Sequence, residues 1–244
     1  MNDTFFLAIL IFAMGILYST VGHAGASGYL AAMALFGLAP DVMKPTALIL
    51  NILVASIAAV QFHRAGYFSW NIFWPFAVSS IPFAFIGGAL SLPGSYYKQA
   101  VGIILLFAAY RLFESRQSAA TDSVKPVPVP WAVLSGAGIG LLSGTVGVGG
   151  GIFLSPLLLF TGWAKTKQTA GVSAVFILVN SIAGIAGHLA GVKSLPDVIY
   201  PLAFAAILGG IIGSRLGSQG FANSTLYSLL AVVLVIAGIK FMLV

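Results

Sequence analysis

Apolar residues run along the chain in ten stretches, near 4–20, 24–38, 43–63, 70–91, 96–114, 131–147, 149–162, 168–189, 197–214 and 224–243. A helix needs about 20 such residues to cross a bilayer, and most of the stretches come close to that. The pattern predicts an all-α polytopic membrane protein. The second and seventh stretches are shorter, at about 15 residues. Each is expected to form a hairpin with the stretch before it, joined by a glycine-rich turn. Between the fifth and sixth stretches lies a polar segment, 115–130, ending in Lys125-Pro126-Val127-Pro128-Val129-Pro130. Prolines and charges of this kind make an extended linker. The organisation expected is a first transmembrane repeat over 1–114, the linker over 115–130 and a second repeat over 131–244.

The two halves are related at a constant offset of 125 residues. Gly15, Thr20, Val21, Gly22, Gly25 and Gly37 meet Gly140, Thr145, Val146, Gly147, Gly150 and Gly162. Further on, Ile52-Leu53-Val54 meets Ile177-Leu178-Val179, Ser56-Ile57-Ala58 meets Ser181-Ile182-Ala183, and His63 and Gly66 meet His188 and Gly191. Apolar composition alone could align the aliphatic residues, but not the Thr, Ser, His and Gly matches as well. The chain reads as an internal duplication.

Parity decides how the halves are oriented. Five crossings per half, or three with a re-entrant hairpin, are both odd and give inverted repeats. If only one of the first two segments crosses, the repeats are parallel. Positive charges concentrate on the cytoplasmic side. In the inverted arrangement Arg64, Arg111, Arg116, Lys125, Lys165, Lys167 and Arg215 face the cytoplasm, and Lys44, Lys98, Lys193 and Lys240 face out, seven against four. The parallel arrangement gives five inside and six outside. The bias favours inversion.

Composition excludes several functions. Only 7% of the residues are charged, against about 25% in soluble domains. The net charge of +6 falls in loops and at segment ends, where it reads as topology and not as a nucleic-acid surface. The chain has no cysteine, which removes thiol chemistry. Three histidines without cysteine make no convincing metal set, and no cofactor is implied. The acids Asp3, Asp41, Glu114, Asp122 and Asp197 lie near segment ends or in the linker, so no mid-membrane carboxylate holds a coupling ion. No nucleophile–base pair has recognisable spacing, so an enzyme is not expected. The first stretch has no basic residues before it and reads as a retained helix, not a signal peptide. Trp70, Trp74 and Trp131 read as interfacial anchors.

What the interior offers instead is backbone, hydroxyls and amides. A helix that restarts after a glycine turn presents unpaired N–H groups carrying about half a positive charge. Such an end binds anions without a cationic side chain. The candidate substrate-binding residues are Thr20, Gly22, His23, Gly25 and Ser27 around the first turn. Thr145, Gly147, Gly149 and Gly150 surround the second, and Asn51 and Asn180 lie in the long third and eighth stretches. Close helix packing is the other reading of the glycines, and it suits Gly136, Gly140 and Gly144 best. His23 is either a ligand or proton acceptor or a backbone-bonded residue. Its counterpart is Val148, so the role is not symmetric. His63 and His188 read as helix-end caps at the interface.

At these positions the sequence resembles the TauE/SafE sulfite-exporter family, also called the 4-toluene sulfonate uptake permeases. The residues that carry it are Gly144-Thr145-Val146-Gly147-Val148-Gly149-Gly150-Gly151 and Lys167-Gln168-Thr169-Ala170-Gly171-Val172-Ser173. His188 with Gly191, and Gly209-Gly210 with Gly213 and Arg215, also fit. The first turn departs from the glycine-rich pattern at His23-Ala24-Gly25-Ala26-Ser27. The resemblance implies a multi-pass transporter of the cell inner membrane. It would export small sulfur-containing anions such as sulfite or organosulfonates, with the lipid bilayer as its surroundings. A membrane-embedded accessory protein that binds a partner and moves nothing is the alternative.

Overall fold

The computed structural model describes residues 2–114, 124–191, 196, 198–219, 232, 234–236, 238–240 and 242. Among them the helices are α1 (Asn2–Ser19), α2 (Ala26–Leu35), α3 (Pro40–Arg64), α4 (Trp70–Ala89), α5 (Gly94–Glu114), α6 (Val129–Val146), α7 (Gly151–Thr161), α8 (Thr166–Gly191) and α9 (Ile199–Ser218). No strand occurs among the described residues. The expected tenth stretch falls largely outside the described residues, as do Arg116, Asp122, Lys193, Asp197 and most of the linker. Residues 232, 234–236, 238–240 and 242 are helical.

Among the described residues five helices, α3, α4, α6, α8 and α9, are long and apolar enough to cross a membrane. By contrast α2 has 10 residues and α7 has 11. At 1.5 Å per residue they span about half of a 30 Å hydrocarbon core. Each turns back on the helix before it. The Lys125 N–H donates to Gly162 O at 2.8 Å, so the end of α7 returns to the start of α6. Likewise Gly28 on α2 lies against Met14 and Tyr18 on α1.

Glycines set the contacts between helices. Gly136, Gly140 and Gly144 on α6 lie against the backbone at Phe76, Ser80 and Ala84 on α4. Gly209, Gly213 and Gly217 on α9 lie against Phe12 and Ile16 on α1 and Thr20 just after it. In both pairs the numbers rise together, so the helices run parallel. Gly171 meets Tyr67 just before α4 and Gly187 meets Phe85, so α4 and α8 are also parallel. Between α3 and α8 the order reverses: Leu48 packs on Gly184, while Ala58 and Phe62 cluster with Ala170 and Ala174. Thr20 touches Gly217 and Gly22 touches Ala170, which puts the end of α9 level with the start of α8. Helices at corresponding places in the two halves therefore point opposite ways.

Lipid is as apolar as a leucine side chain, so association rests on close packing. Small residues accordingly fill the contacts, and large apolar ones face outward. Phe5, Trp70, Leu134, Tyr200 and Phe204 are each at least 62% exposed. A Cβ added at Gly140 or Gly213 would land on the backbone of Ser80 or Ile16. Gly140→Ala and Gly213→Ala should each cost about 1–3 kcal/mol, read as a lower thermal midpoint in detergent. Gly138→Ala, with no neighbour within 4 Å, should not lower it.

Candidate functional site

Both turns close in the same way. The His23 N–H donates to Tyr18 O at 3.0 Å, and the Val148 N–H to Ser143 O at 3.2 Å, each pair offset by 125 residues. This six-residue closure ends a helix when the residue after it is left-handed. That residue is Gly22 (φ 75°) in the first turn and Gly147 (φ 90°) in the second. The next helix starts from another left-handed glycine, Gly25 (φ 103°) for α2 and Gly150 (φ 83°) for α7, and no side chain caps either start. The second turn adds Gly149 at φ 72°. Side chains are strained at such angles, so these places require glycine.

The two turns reach the same region. His23 crosses from the first turn to α7, with Nε2 3.1 Å from Gly151 O and 3.1 Å from Ser155 Oγ. Its Nδ1 lies 3.2 Å from Val21 O. Ser155 Oγ is 2.8 Å from Ser173 Oγ on α8. Carbonyls only accept, so a neutral ring donates to one of them. With the proton on Nδ1 toward Val21, Nε2 accepts from Ser155, which in turn accepts from Ser173. An imidazolium would donate to both carbonyls instead. The ring thus has two hydrogen-bond sets, separated by one proton.

Beside this chain lies a cluster of unused polar groups. Asn51 on α3 and Ser181 on α8 are both 0% exposed. Among the described residues, neither Asn51 amide atom nor Ser181 Oγ has a hydrogen-bond partner. The space a Cβ of Gly149 would occupy is 2.9 Å from Ser181 Oγ and 3.1 Å from Asn51 Nδ2. Asn180, also buried, donates from Nδ2 to Phe176 O at 2.8 Å and leaves its Oδ1 unpartnered. An unsatisfied buried polar group costs about 1–3 kcal/mol, so such groups usually serve something. Amide N–H, hydroxyl and backbone donors, with no carboxylate beside them among the described residues, suit an anion.

The family profile described as "Sulfite exporter TauE/SafE" matches residues 7–241. The chain belongs to the TauE/SafE family. It is 41% identical over 237 residues to the "Probable membrane transporter protein y4hK" of Sinorhizobium fredii, covering 96% of each chain. A "Probable membrane transporter protein MJ0441" of Methanocaldococcus jannaschii is 27% identical, over 86% of this chain and 84% of the relative. YjnA of Bacillus subtilis, also described as a probable membrane transporter protein, is 25% identical over 93% and 95%. No solved structure matches.

In this TauE/SafE protein the expected residues separate into groups. His23, Asn51 and Gly149 reach the region where the turns meet. Gly22, Gly25, Gly147 and Gly150 shape the turns, with Gly150 against Phe176 and Ile139. Thr20 and Ser27 are engaged elsewhere: Thr20 Oγ1 donates to Leu17 O at 2.6 Å and Ser27 Oγ to Tyr18 Oη at 3.0 Å. Thr145 bonds Leu141 O at 2.7 Å and lines a separate cavity with Lys44, Tyr97 and His188. Lys44 corrects the reading of the cations as topology charges alone. It lies inside α3, 6% exposed, and donates to Gly88 O at 2.8 Å, Leu90 O at 2.9 Å and Gly87 O at 3.2 Å. Ser155 and Ser173 were not among the expected binding residues; Ser173 ends the Lys167–Ser173 stretch that carries the resemblance, and the one signal of Ser155 is a hydroxyl within an apolar helix.

Asn51→Leu keeps the side-chain shape and removes both unpartnered groups. It should raise the thermal midpoint, by the equivalent of about 1–3 kcal/mol. A lower midpoint would show that the amide is paired in the folded protein.

Proposed function

We propose that this TauE/SafE transporter exports small sulfur-containing anions, sulfite or an organosulfonate, across the cell inner membrane. The anion is held where the two glycine turns meet α3 and α8. The observation that carries this reading is the set of buried, unpartnered donors of Asn51 and Ser181 beside Gly149. The uncapped starts of α2 and α7 add the partial positive charge of helix N-termini. The two halves act as inverted repeats, a reading supported by the opposed directions of corresponding helices. The linker faces the cytoplasm, in keeping with Arg64, Lys125, Lys165 and Lys167 on that side.

Export needs no ion held by a carboxylate. Asp3 and Asp41 are exposed, and no carboxylate stands at the turns among the described residues. A negative cytoplasm favours anion exit by about 2.3 kcal/mol per charge per 100 mV, roughly fiftyfold in gradient for a monoanion. His23 is the one group at the turns that could add a proton to this scheme.

Sulfite flux in proteoliposomes should follow a valinomycin-set potential, ignore sodium and survive Asp41→Asn. Asn51→Leu should reduce it at least tenfold while the protein stays folded. Flux that ignores voltage but follows a pH gradient, and loses that drive in His23→Ala, would move the coupling to His23. Absence of flux for sulfite and sulfonates alike would favour the accessory-protein reading.

A further inference from the structure

We propose that the cavity between the start of α3, the end of α4 and the start of α5 is an anion-binding vestibule, open on one face only, with Lys44 as its cation. This deepens the transport reading and rests on it for the identity of the anion.

The cavity holds about 290 Å³ and is lined by Lys44, Thr145, Tyr97 and His188, with Asp41 and Leu90 among its other walls. That is near the lower end for small-molecule sites, with room for a small oxyanion and a few waters. Lys44 is buried, and no carboxylate pairs with it among the described residues. Its charge is offset only by three carbonyl dipoles at the end of α4. A buried cation without a counter-charge is costly, so an anion entering the cavity is favoured by the charge already there. The Gly87 and Gly88 bonds are buried and the Leu90 bond only partly so. The anion therefore takes the place of Leu90 O on the ammonium. Asp41 is exposed at the start of α3 and opposes anions there. It lies a turn before Lys44, outside the buried cage of carbonyls.

The floor of the cavity is the second turn. Thr145 is in the last turn of α6, and Tyr97 Oη donates to Val146 O at 3.0 Å. Lys44 O lies 3.1 Å from where a Cβ of Gly147 would sit. A ligand on Lys44 thus stands directly over the turn that leads to Gly149.

Among the described residues, the other half shows no equivalent cation. At the 125-residue offset Lys44 corresponds to Thr169, and residues 90–93 correspond to 215–218. After α4 stops at Ala89, Leu90 is extended (φ −71°, ψ 127°) and the chain peels away toward Pro93. Its counterpart, α9, stays helical to Ser218, and Gly217 seals against the backbone of Thr20. So, among the described residues, one face has a cavity and a cation, and the opposite face has Thr169 and the end of α9 packed on Thr20.

The test presents sulfite to one face at a time in proteoliposomes of known orientation, beside calorimetric titration of sulfite into the detergent-solubilised protein. Lys44→Met should raise the half-saturating concentration at least tenfold for sulfite arriving at the cavity face. At the linker face it should stay within twofold, and Lys44→Arg should recover most of the loss. Equal changes on both faces, or none, would overturn the vestibule. Lys44→Met also strips three carbonyls of their donor, so His188→Glu serves as the second variant. It leaves Lys44 and its carbonyls in place, puts a carboxylate in the cavity and should reduce sulfite uptake from that face alone. Sulfite binding that is lost in His188→Glu, in a wild-type protein that moves none, would keep the vestibule and sink the transport reading. Sulfite flux unaltered by either variant would sink the vestibule and keep the transport reading.

Discussion

Backbone groups freed by a broken helix have no partners in lipid, and the architecture follows from enclosing them. Two helices stop in the interior, at Ser19 and Val146, and two restart, at Ala26 and Gly151. Irregular backbone at membrane depth survives only inside protein or along a wet cavity. Here the turns are wrapped: Ala24 is 1% exposed and Val148 3%. The wrapping depends on helices approaching closely, and that on the glycine steps of α6 against α4 and α9 against α1. The same residue type thus breaks the helices and packs the helices around the breaks. The bland packing reading and the ligand reading of the glycines apply to different members of the set.

Enclosure leaves the interior with little ionic character, which gives the proposed route its two stages. At the centre, Asn51, Ser181 and the turn backbone offer donors without a cation, so an anion held there is not held tightly. Nearer one face, Lys44 offers a full charge, tempered by the carbonyls of Gly87, Gly88 and Leu90. A transported ion needs sites favourable enough to enter and weak enough to leave. A strong cation at the centre would trap the anion, whereas dipoles lower its desolvation cost without that penalty.

Much of this was legible in the chain. Hydropathy set the helices, and the shortness of the runs at 24–38 and 149–162 marked α2 and α7 as half-spans. The 125-residue offset paired Gly22 with Gly147 and His23 with Val148, and in the structure His23 and Val148 close their turns alike. Asn51 and Gly149 were read as candidates, and they stand together. What escaped depends on three-dimensional pairing. Ser27 looked like a turn hydroxyl, yet Tyr18, nine residues earlier, takes it. Ser155 and Ser173 differ from ordinary helix serines only in meeting each other and His23. Lys44 sits near a helix start, where a lysine normally reaches the interface. Only the end of α4, folding over it, turns that lysine inward. The difference between α4 and α9 did have a signal in the repeat, since Pro93, which cannot continue a helix, stands where the second half has Ser218.

The central claim is that an anion rests where the two turns meet α3 and α8. Selenite has the shape and charge of sulfite and a heavier central atom, so anomalous scattering from crystals soaked in it locates the ion directly. The account predicts a peak with its oxygens about 3 Å from Asn51 Nδ2 and the backbone at Gly149. A preparation that transports selenite, yet shows peaks only at exposed cations such as Lys165 and Lys167 and none at the crossing of α3 and α8, would contradict it.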